Sequence, residues 1–391
     1  MDLNSYLASK SAEYAPFDPL RFPKIYERFL ERFALKKAKV IHVVGTNGKG
    51  STGRFLSLML RSSGASVGHF SSPHISEFRE RFWINGALVG EETLERAHKE
   101  LSDTGLFHEA SYFEYATLLA VYLFKELDFW VIEAGLGGEF DSTSSLERDL
   151  SLFTSIGLDH REILGDCIED IAATKLRSMA KYAILGIQSD ERVAKIARGI
   201  AKERGSVLEE DSREIDLYEE RYFARYPMPQ YQRYNFRLAH RAMKVLGIAS
   251  NEIGALCMGG RFERHGRLIL DVGHNPLAAH ALADSLQGEP FRLIYNSYKE
   301  KDVREILEIL RPLVERIHIL RVENNERIIS ENRLVEIASR LQIPINEFNG
   351  VLEEGVKYVV FGSFSVVASF KERYKALLQE EDKCKGRNNE R

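Results

Sequence analysis

The chain has 391 residues, 44% hydrophobic and 29% charged, with 22 Phe, 16 Tyr and a formal net charge of −4. That length exceeds what one hydrophobic core usually supports, so two domains are expected, and the composition excludes long disorder. No sustained basic tract forms a nucleic-acid footprint, Cys167, Cys257 and Cys384 form no CxxC pair for zinc or a disulfide framework, and no apolar run approaches a membrane span.

Residues 1–24 mix charge, proline and scattered apolar side chains without a signal-peptide core, so a cytoplasmic protein without nucleic-acid or membrane partners is expected. From residue 40, short apolar runs alternate with helical spacing. Residues 40–44 read as a buried strand, 53–62 as a helix, 112–126 as a helix and 129–134 as a strand. A strand at 152–156, a helix at 168–180 and a strand at 182–187 follow. The pattern blurs over 206–229, then a helix is predicted at 234–246. The Cys-Met-Gly-Gly segment at 257–260 punctuates the chain and is the expected domain boundary. Alternation restarts with strands at 268–271, 292–295, 317–322 and 358–361 and helices at 277–286, 303–310 and 331–341; the tail from 379 is expected to fray. This order predicts an α/β protein: an N-terminal P-loop-type, mainly parallel sheet domain over 1–258 and a smaller C-terminal Rossmann-like domain over 259–391.

The sharpest local signal is Gly45-Thr46-Asn47-Gly48-Lys49-Gly50-Ser51-Thr52, between a predicted strand and helix. Main-chain N–H groups at a helix start favour an anion, and glycines let the backbone approach it closely. Lys49 is suited to neutralise β/γ-phosphates, and Ser51 or Thr52 to face magnesium. Gly45 and Lys49 are only four apart, which departs from the strict GxxxxGK[ST] spacing. A plain connecting turn is the competing reading, which the Lys-Gly-Ser-Thr run disfavours.

Three later segments end predicted strands with polar residues, at the edge where open α/β sheets bind ligands: 71–74 with Ser72, 133–138 with Glu133, and 157–160 with His160. Alone, each has an ordinary explanation as a turn serine, an ion-paired glutamate or a loop histidine. Their shared place beyond a phosphate loop favours a magnesium site instead.

These blocks, with SSPHI at 71–75, ERFWING at 80–86, FEYATLLAVYLF at 113–124, EAGLGGEFDST at 133–143, TSIGLDHREILG at 154–165, LDVGHNP at 270–276 and VVFGSF at 359–364, resemble folylpolyglutamate/dihydrofolate synthases of the Mur-ligase group. The ordered set runs from about residue 17 to about residue 375. The resemblance implies an ATP-dependent ligase that phosphorylates a folate or dihydropteroate carboxylate and couples the acyl phosphate to L-glutamate, with magnesium as cofactor and a monomer as the default state. It places Asn47, Gly48, Lys49, Gly50, Ser51, Thr52, Asn235, Arg261 and Asp271 on ATP, and Ser72, Glu133 and His160 on the metal. It places His274 near the reacting phosphate and Phe113, Glu114 and Asp141 in the pterin-side pocket.

Lys175, fifteen residues past His160, matches a lysine that is carbamylated in this family, although Thr174-Lys175-Leu176-Arg177-Ser178 replaces the usual Glu-Lys-Ala-Gly-Ile. Glu139 stands where the family has Arg, Ser144 where it has Asn, and the chain between Arg261 and Asp271 is shorter than usual. Rival readings are a Mur-type ligase with a non-folate acceptor, a P-loop switch or kinase, and a catalytically reduced binding protein. The sequence leaves open the choice between dihydropteroate and tetrahydrofolate, and the glutamate chain length.

Overall fold

The computed structural model describes residues 1–10 and 18–388, with side chains as far as residue 382. It divides into two compact units, Met1–Met228 with Gln232–Leu256, and Cys257–Arg391 with Pro229–Tyr231. In the larger unit eight strands make one sheet: β1 (Lys39–Val44), β2 (Val67–Phe70), β3 (Phe82–Ile84), β4 (Ala87–Leu88), β5 (Phe129–Glu133), β6 (Leu150–Phe153), β7 (Tyr182–Leu185) and β8 (Val207–Glu210). Their spatial order is β4-β3-β2-β5-β1-β6-β7-β8. From β2 to β8 the strands are parallel, and β3 and β4 add an antiparallel edge that the alternation of elements did not reveal.

β1 is the centre because both of its faces are covered. Ile41 and Val43 pack with Phe55, Leu56 and Met59 of the Lys49–Ser62 helix. Val40 and Val44 join cores on the opposite side, as strand alternation requires. The chain leaves β1 toward β2 and β5 on one side, then returns to place β6 on the other. That reversal is where open α/β sheets leave a crevice at the carboxyl ends of their strands.

The helix Tyr112–Phe124 is apolar almost all round, and it lies between the sheet and an outer layer. Its core includes Leu94, Ala97 and Leu101 of the helix Glu91–Ser102, and Leu3 and Leu7 of the helix Leu3–Ala8. A helix buried on every side needs this third layer. Ser111 starts it with a capping box, its hydroxyl accepting Glu114 N while the Glu114 carboxylate accepts Ser111 N.

The stretch that reads ambiguously at 206–229 holds β8 and a helix, Leu217–Arg225. Tyr222 and Phe223 of that helix pack into the core beside Phe55 and Phe236, and polar contacts hold the segment before it. Arg237, 2% exposed, donates to Asp211 Oδ1 at 2.7 Å and to the carbonyls of Arg213 and Glu214 at 3.0 and 2.8 Å. Nearby, ligand-type atoms of Asp216, Glu219 and His240 lie within 4.8 Å of one another. Lys244 at 2.7 Å from Asp216 and Arg237 at 3.7 Å from Glu219 already supply the positive charge there. The two carboxylates also cap the Leu217–Arg225 helix reciprocally, so the cluster is a structural one.

The smaller unit has six strands, β9 (Glu263–His265), β10 (Leu268–Leu270), β11 (Phe291–Tyr295), β12 (Val314–Ile319), β13 (Ile345–Glu347) and β14 (Tyr358–Phe361), ordered β13-β12-β11-β14-β10-β9. All are parallel except β9, which forms a tight hairpin with β10 in the shortened stretch after Arg261. Helices Pro276–Leu286, Val303–Leu310, Glu331–Arg340 and Phe364–Arg373 alternate with its strands. Where a frayed tail is expected, a helix Lys375–Asn388 runs instead, and residues 389–391 lie outside the described residues. Glu381 holds it, accepting Arg267 Nε at 2.9 Å and Arg267 N at 3.1 Å. Among the described residues no helix is long and apolar enough to cross a membrane.

Arg237→Met should cost about 3 kcal/mol of unfolding free energy in urea titration, because it removes the closest charged donor of the buried Asp211 carboxylate, which keeps Arg241 and Arg213 N, and the arginine donor of two carbonyls. A loss under about 0.5 kcal/mol, the level of an exposed pair, would contradict the role given to this arginine.

Candidate active site

The Gly45–Thr52 loop leaves β1 and is stitched to the segment that leaves β6. Thr46 N and Asn47 N donate to Ser155 O at 2.9 and 3.3 Å, and Thr46 Oγ1 exchanges hydrogen bonds with Gly157 O and N at 3.0 and 3.1 Å. Gly48 stands before the Lys49–Ser62 helix at φ +89°, and no side chain caps that helix. A Cβ on Gly48 would lie 2.3 Å from Oδ1 of Asn235, which is itself buried on the helix Gln230–Val245. Only glycine satisfies both the backbone and this approach. The helix start therefore keeps uncapped N–H groups beside Asn235, the arrangement an anion requires. Ser51 and Thr52 are enclosed, and Thr52 Oγ1 has no hydrogen-bond partner among the described residues.

Charges gather at the same strand ends. Lys49 Nζ lies 3.8 Å from Glu133 Oε1 and donates to Thr46 O at 3.2 Å, while Glu133 Oε2 accepts Ser72 N at 3.2 Å. Loop, Glu133 and Ser72 are thus in direct contact, as three adjacent parallel strands (β1, β5, β2) bring them level. Lys175, 4% exposed, donates to Gly45 O at 3.2 Å. Burial and then the charge of Lys49 push its pKa down to about 7, against the pull of Asp159 and Asp141. His160 precedes the short helix Arg161–Leu164 at φ 50°, with Nδ1 3.7 Å from Glu162.

On the proposed acceptor side, the Phe113 ring sits 5.8 Å from that of Phe70 and fills the space that a Cβ on Gly135 would take. The Glu114 carboxylate accepts Ser111 N at 2.7 Å and Arg21 Nε at 2.8 Å, so it organises the helix start and anchors Arg21. Asp141 Oδ2 accepts Leu136 N at 2.9 Å, and Oδ1 accepts Thr143 N at 3.0 Å and the Thr143 hydroxyl. Burial raises its pKa. Arg21 lies in no motif that would have singled it out, and Thr143 closes the EAGLGGEFDST block without a role of its own having been expected. Two departures from the family pattern turn out to face one another: Glu139 pairs with Arg177 at 3.4 Å.

In the smaller unit, Asp271 Oδ1 accepts Gly273 N at 2.8 Å, and Oδ2 accepts Phe262 N at 3.0 Å and Tyr231 OH at 2.9 Å. Burial raises the pKa of this carboxyl too. The Arg261 guanidinium lies 4.8 Å over the Phe364 ring. His274 Nδ1 donates to Val272 O at 3.0 Å, which leaves Nε2 as the ring's other polar atom.

No family model matches the chain. Dihydrofolate synthase/folylpolyglutamate synthase of Escherichia coli (strain K12) is 31% identical over 322 residues, which cover 73% of this chain and 76% of the relative. The crystal structure of Helicobacter pylori folylpolyglutamate synthetase matches with a TM-score of 0.79 and 42% identity, covering 96% of this chain and 98% of that one. A bifunctional folylpolyglutamate synthase/dihydrofolate synthase solved with Mn, AMPPNP and L-glutamate bound matches with a TM-score of 0.81 and 26% identity, covering 95% and 98%.

Lys175 gives a pH test. Its folded pKa of about 7 lies below the ordinary 10.5, so between those values the unfolded chain binds the proton that the folded chain lacks, and stability rises with pH. In carbon-dioxide-free buffer, the stability advantage of Lys175→Met over the parent should shrink by about 2–3 kcal/mol from pH 6 to pH 9. A pH-independent difference would contradict the buried, low-pKa lysine.

Proposed function

The chain belongs to the dihydrofolate synthase/folylpolyglutamate synthase family, and on that premise we propose that it joins L-glutamate to the carboxylate of dihydropteroate or of a folate, at the expense of ATP and through an acyl phosphate. The observation that carries this reading is the meeting of Lys49, Glu133 and Ser72 beside an uncapped helix start.

A carboxylate is a poor electrophile because it already carries negative charge. One of its oxygens attacks the γ-phosphorus, the bond to the bridging oxygen breaks, and ADP leaves. The amine of glutamate then attacks the carbonyl carbon, phosphate departs with the activated oxygen, and the nitrogen loses a proton to give the amide. N–H groups of Gly48 to Thr52 are assigned to the triphosphate, and Lys49 to the charge that spreads over the transferred phosphoryl oxygens. Asn235 in the larger unit, and Arg261 and Asp271 in the smaller, are assigned to the nucleotide, and His274 to the reacting phosphate. Phe113 and Asp141 are assigned to the acceptor, with Glu114 setting the helix start that presents Phe113.

The donor set fits a divalent cation: Glu133 brings a buried carboxylate, and Ser72 and His160 complete the hard and borderline ligands. Such a cation, held by those residues, would neutralise phosphate oxygens. Lys175 is suited to carbamylation, since only a neutral amine adds to carbon dioxide and its pKa is drawn to about 7. The new N–C bond releases one proton and replaces a cation beside Lys49 with an anionic oxygen donor.

Phosphate release measured with dihydropteroate or tetrahydrofolate, each with and without L-glutamate, should require both acceptor and amino acid. Turnover with neither acceptor would overturn the folate reading and leave a Mur-type ligase of another acceptor. Lys49→Ala should lower turnover by at least about a hundredfold with the fold intact by circular dichroism; near-normal turnover would remove Lys49 from the chemistry. With ¹³C-bicarbonate, a carbamate resonance is expected in the parent and absent from Lys175→Arg; a spectrum without it in the parent rules carbamylation out.

A further inference from the structure

His42 lies in the middle of β1, in the run Lys-Val-Ile-His-Val-Val, and is 1% exposed. A polar ring enclosed there is costly unless it holds something. Its Nε2 lies 2.8 Å from Thr143 Oγ1, and the Thr143 hydroxyl in turn reaches Asp141 Oδ1. The chain has one chemically consistent direction. Asp141 accepts main-chain N–H groups at both oxygens, from Leu136 at 2.9 Å and Thr143 at 3.0 Å, so it is held as an acceptor. The hydroxyl must donate to it and must accept from the imidazole.

Burial, and then the charge of Arg148, draw the His42 pKa down to about 3, so the ring is neutral with one N–H. The chain puts that proton on Nε2 and leaves Nδ1 as a bare lone pair. Among the described residues Nδ1 indeed has no hydrogen-bond partner. Arg148 grips the same turn further on, donating from Nη1 to the carbonyls of Ser144 and Leu146. The Asp141–Leu146 segment is thus tied down by a ring from the central strand and by its own arginine.

Strand alternation decides what this can influence. Ile41 and Val43 face the Lys49–Ser62 helix, so His42 points to the other face, away from the helix that follows the phosphate loop.

We propose that His42 is a positioning residue for the acceptor site: through the Thr143 hydroxyl it fixes the orientation of the Asp141 carboxylate, and so sets acceptor affinity without touching the nucleotide or the reacting atoms. The inference rests on the assignment of Asp141 to the acceptor made under the proposed function. Within that assignment it adds a residue of β1 that no site motif contains.

Steady-state kinetics on the full chain test it. His42→Leu should raise the acceptor KM about three- to tenfold, the range of one neutral hydrogen bond, with kcat and the ATP KM within about twofold of the parent. His42→Gln, which keeps an N–H donor, should recover most of the loss. In a Thr143→Val background His42→Leu should have no further effect, because the atom it acts through is gone. An unchanged acceptor KM, a parallel rise in the ATP KM, or full additivity with Thr143→Val would each overturn the proposal. Should His42→Leu fail to fold, Thr143→Val carries the same test, and an unchanged acceptor KM there overturns it. Asp141→Asn separates the two layers. If it leaves the acceptor KM unchanged, the Asp141 assignment fails and His42 falls with it; if it raises the KM while His42→Leu does not, only the positioning role fails.

Discussion

Lys49 and Lys175 bring two amines into one largely buried corner, where burial first and their mutual repulsion second loosen the proton on Lys175. Glu133 at 3.8 Å offsets part of the charge on Lys49, while Lys175 has a carbonyl, Gly45 O, as its hydrogen-bond acceptor. An anion entering the corner would relieve that repulsion. A triphosphate on the loop, as proposed, would do so from one side. A carbamate on Lys175 would do so from the other, by turning one of the two cations into an anion.

The sheet makes this corner possible. Parallel strands deliver their carboxyl ends to one edge, and the register of Val43 with Glu133 and Val44 with Phe153 sets the ends of β1, β5 and β6 level. Loop, carboxylate and the segment leading to His160 are therefore neighbours without long side chains having to reach. Gly48 against Asn235 adds the constraint from a distant helix, which closes on the loop only because no Cβ stands between them. On the proposal made for His42, the opposite face of β1 serves the acceptor side, so that one strand would support two sub-sites from two faces.

The Gly45–Thr52 loop was legible as a strand-to-helix turn because its signals are local: glycines, a lysine and hydroxyls between an apolar run and a helical pattern leave few alternatives. Glu133 was legible by position, at the end of an apolar run. What depended on distant partners was not. A strand is expected over 152–156, yet β6 runs from Leu150 to Phe153, because the backbone of Ser155 turns to bind Thr46 and Asn47. The stretch from 206 to 229 blurs because residues 211–214 are held by an arginine, while the short helix after them packs through aromatic rings among charged residues. Glu114 belongs to a conspicuous motif, but its carboxylate is spent on a helix cap and on Arg21. Glu139 and Arg177 look like two unrelated departures until they are seen as one ion pair. His42 had a single faint signal, a polar residue inside a buried strand, and nothing in the sequence says which way it points.

The chemistry assigned to this site has an atom-level signature. With the acceptor carboxylate labelled with ¹⁸O, mass spectrometry of the inorganic phosphate released during ligation should find one ¹⁸O per phosphate, because the bridging oxygen of an acyl phosphate leaves with phosphorus. Phosphate free of label, alongside normal formation of the glutamyl amide, would contradict carboxylate phosphorylation and with it the role of the lysine-lined corner.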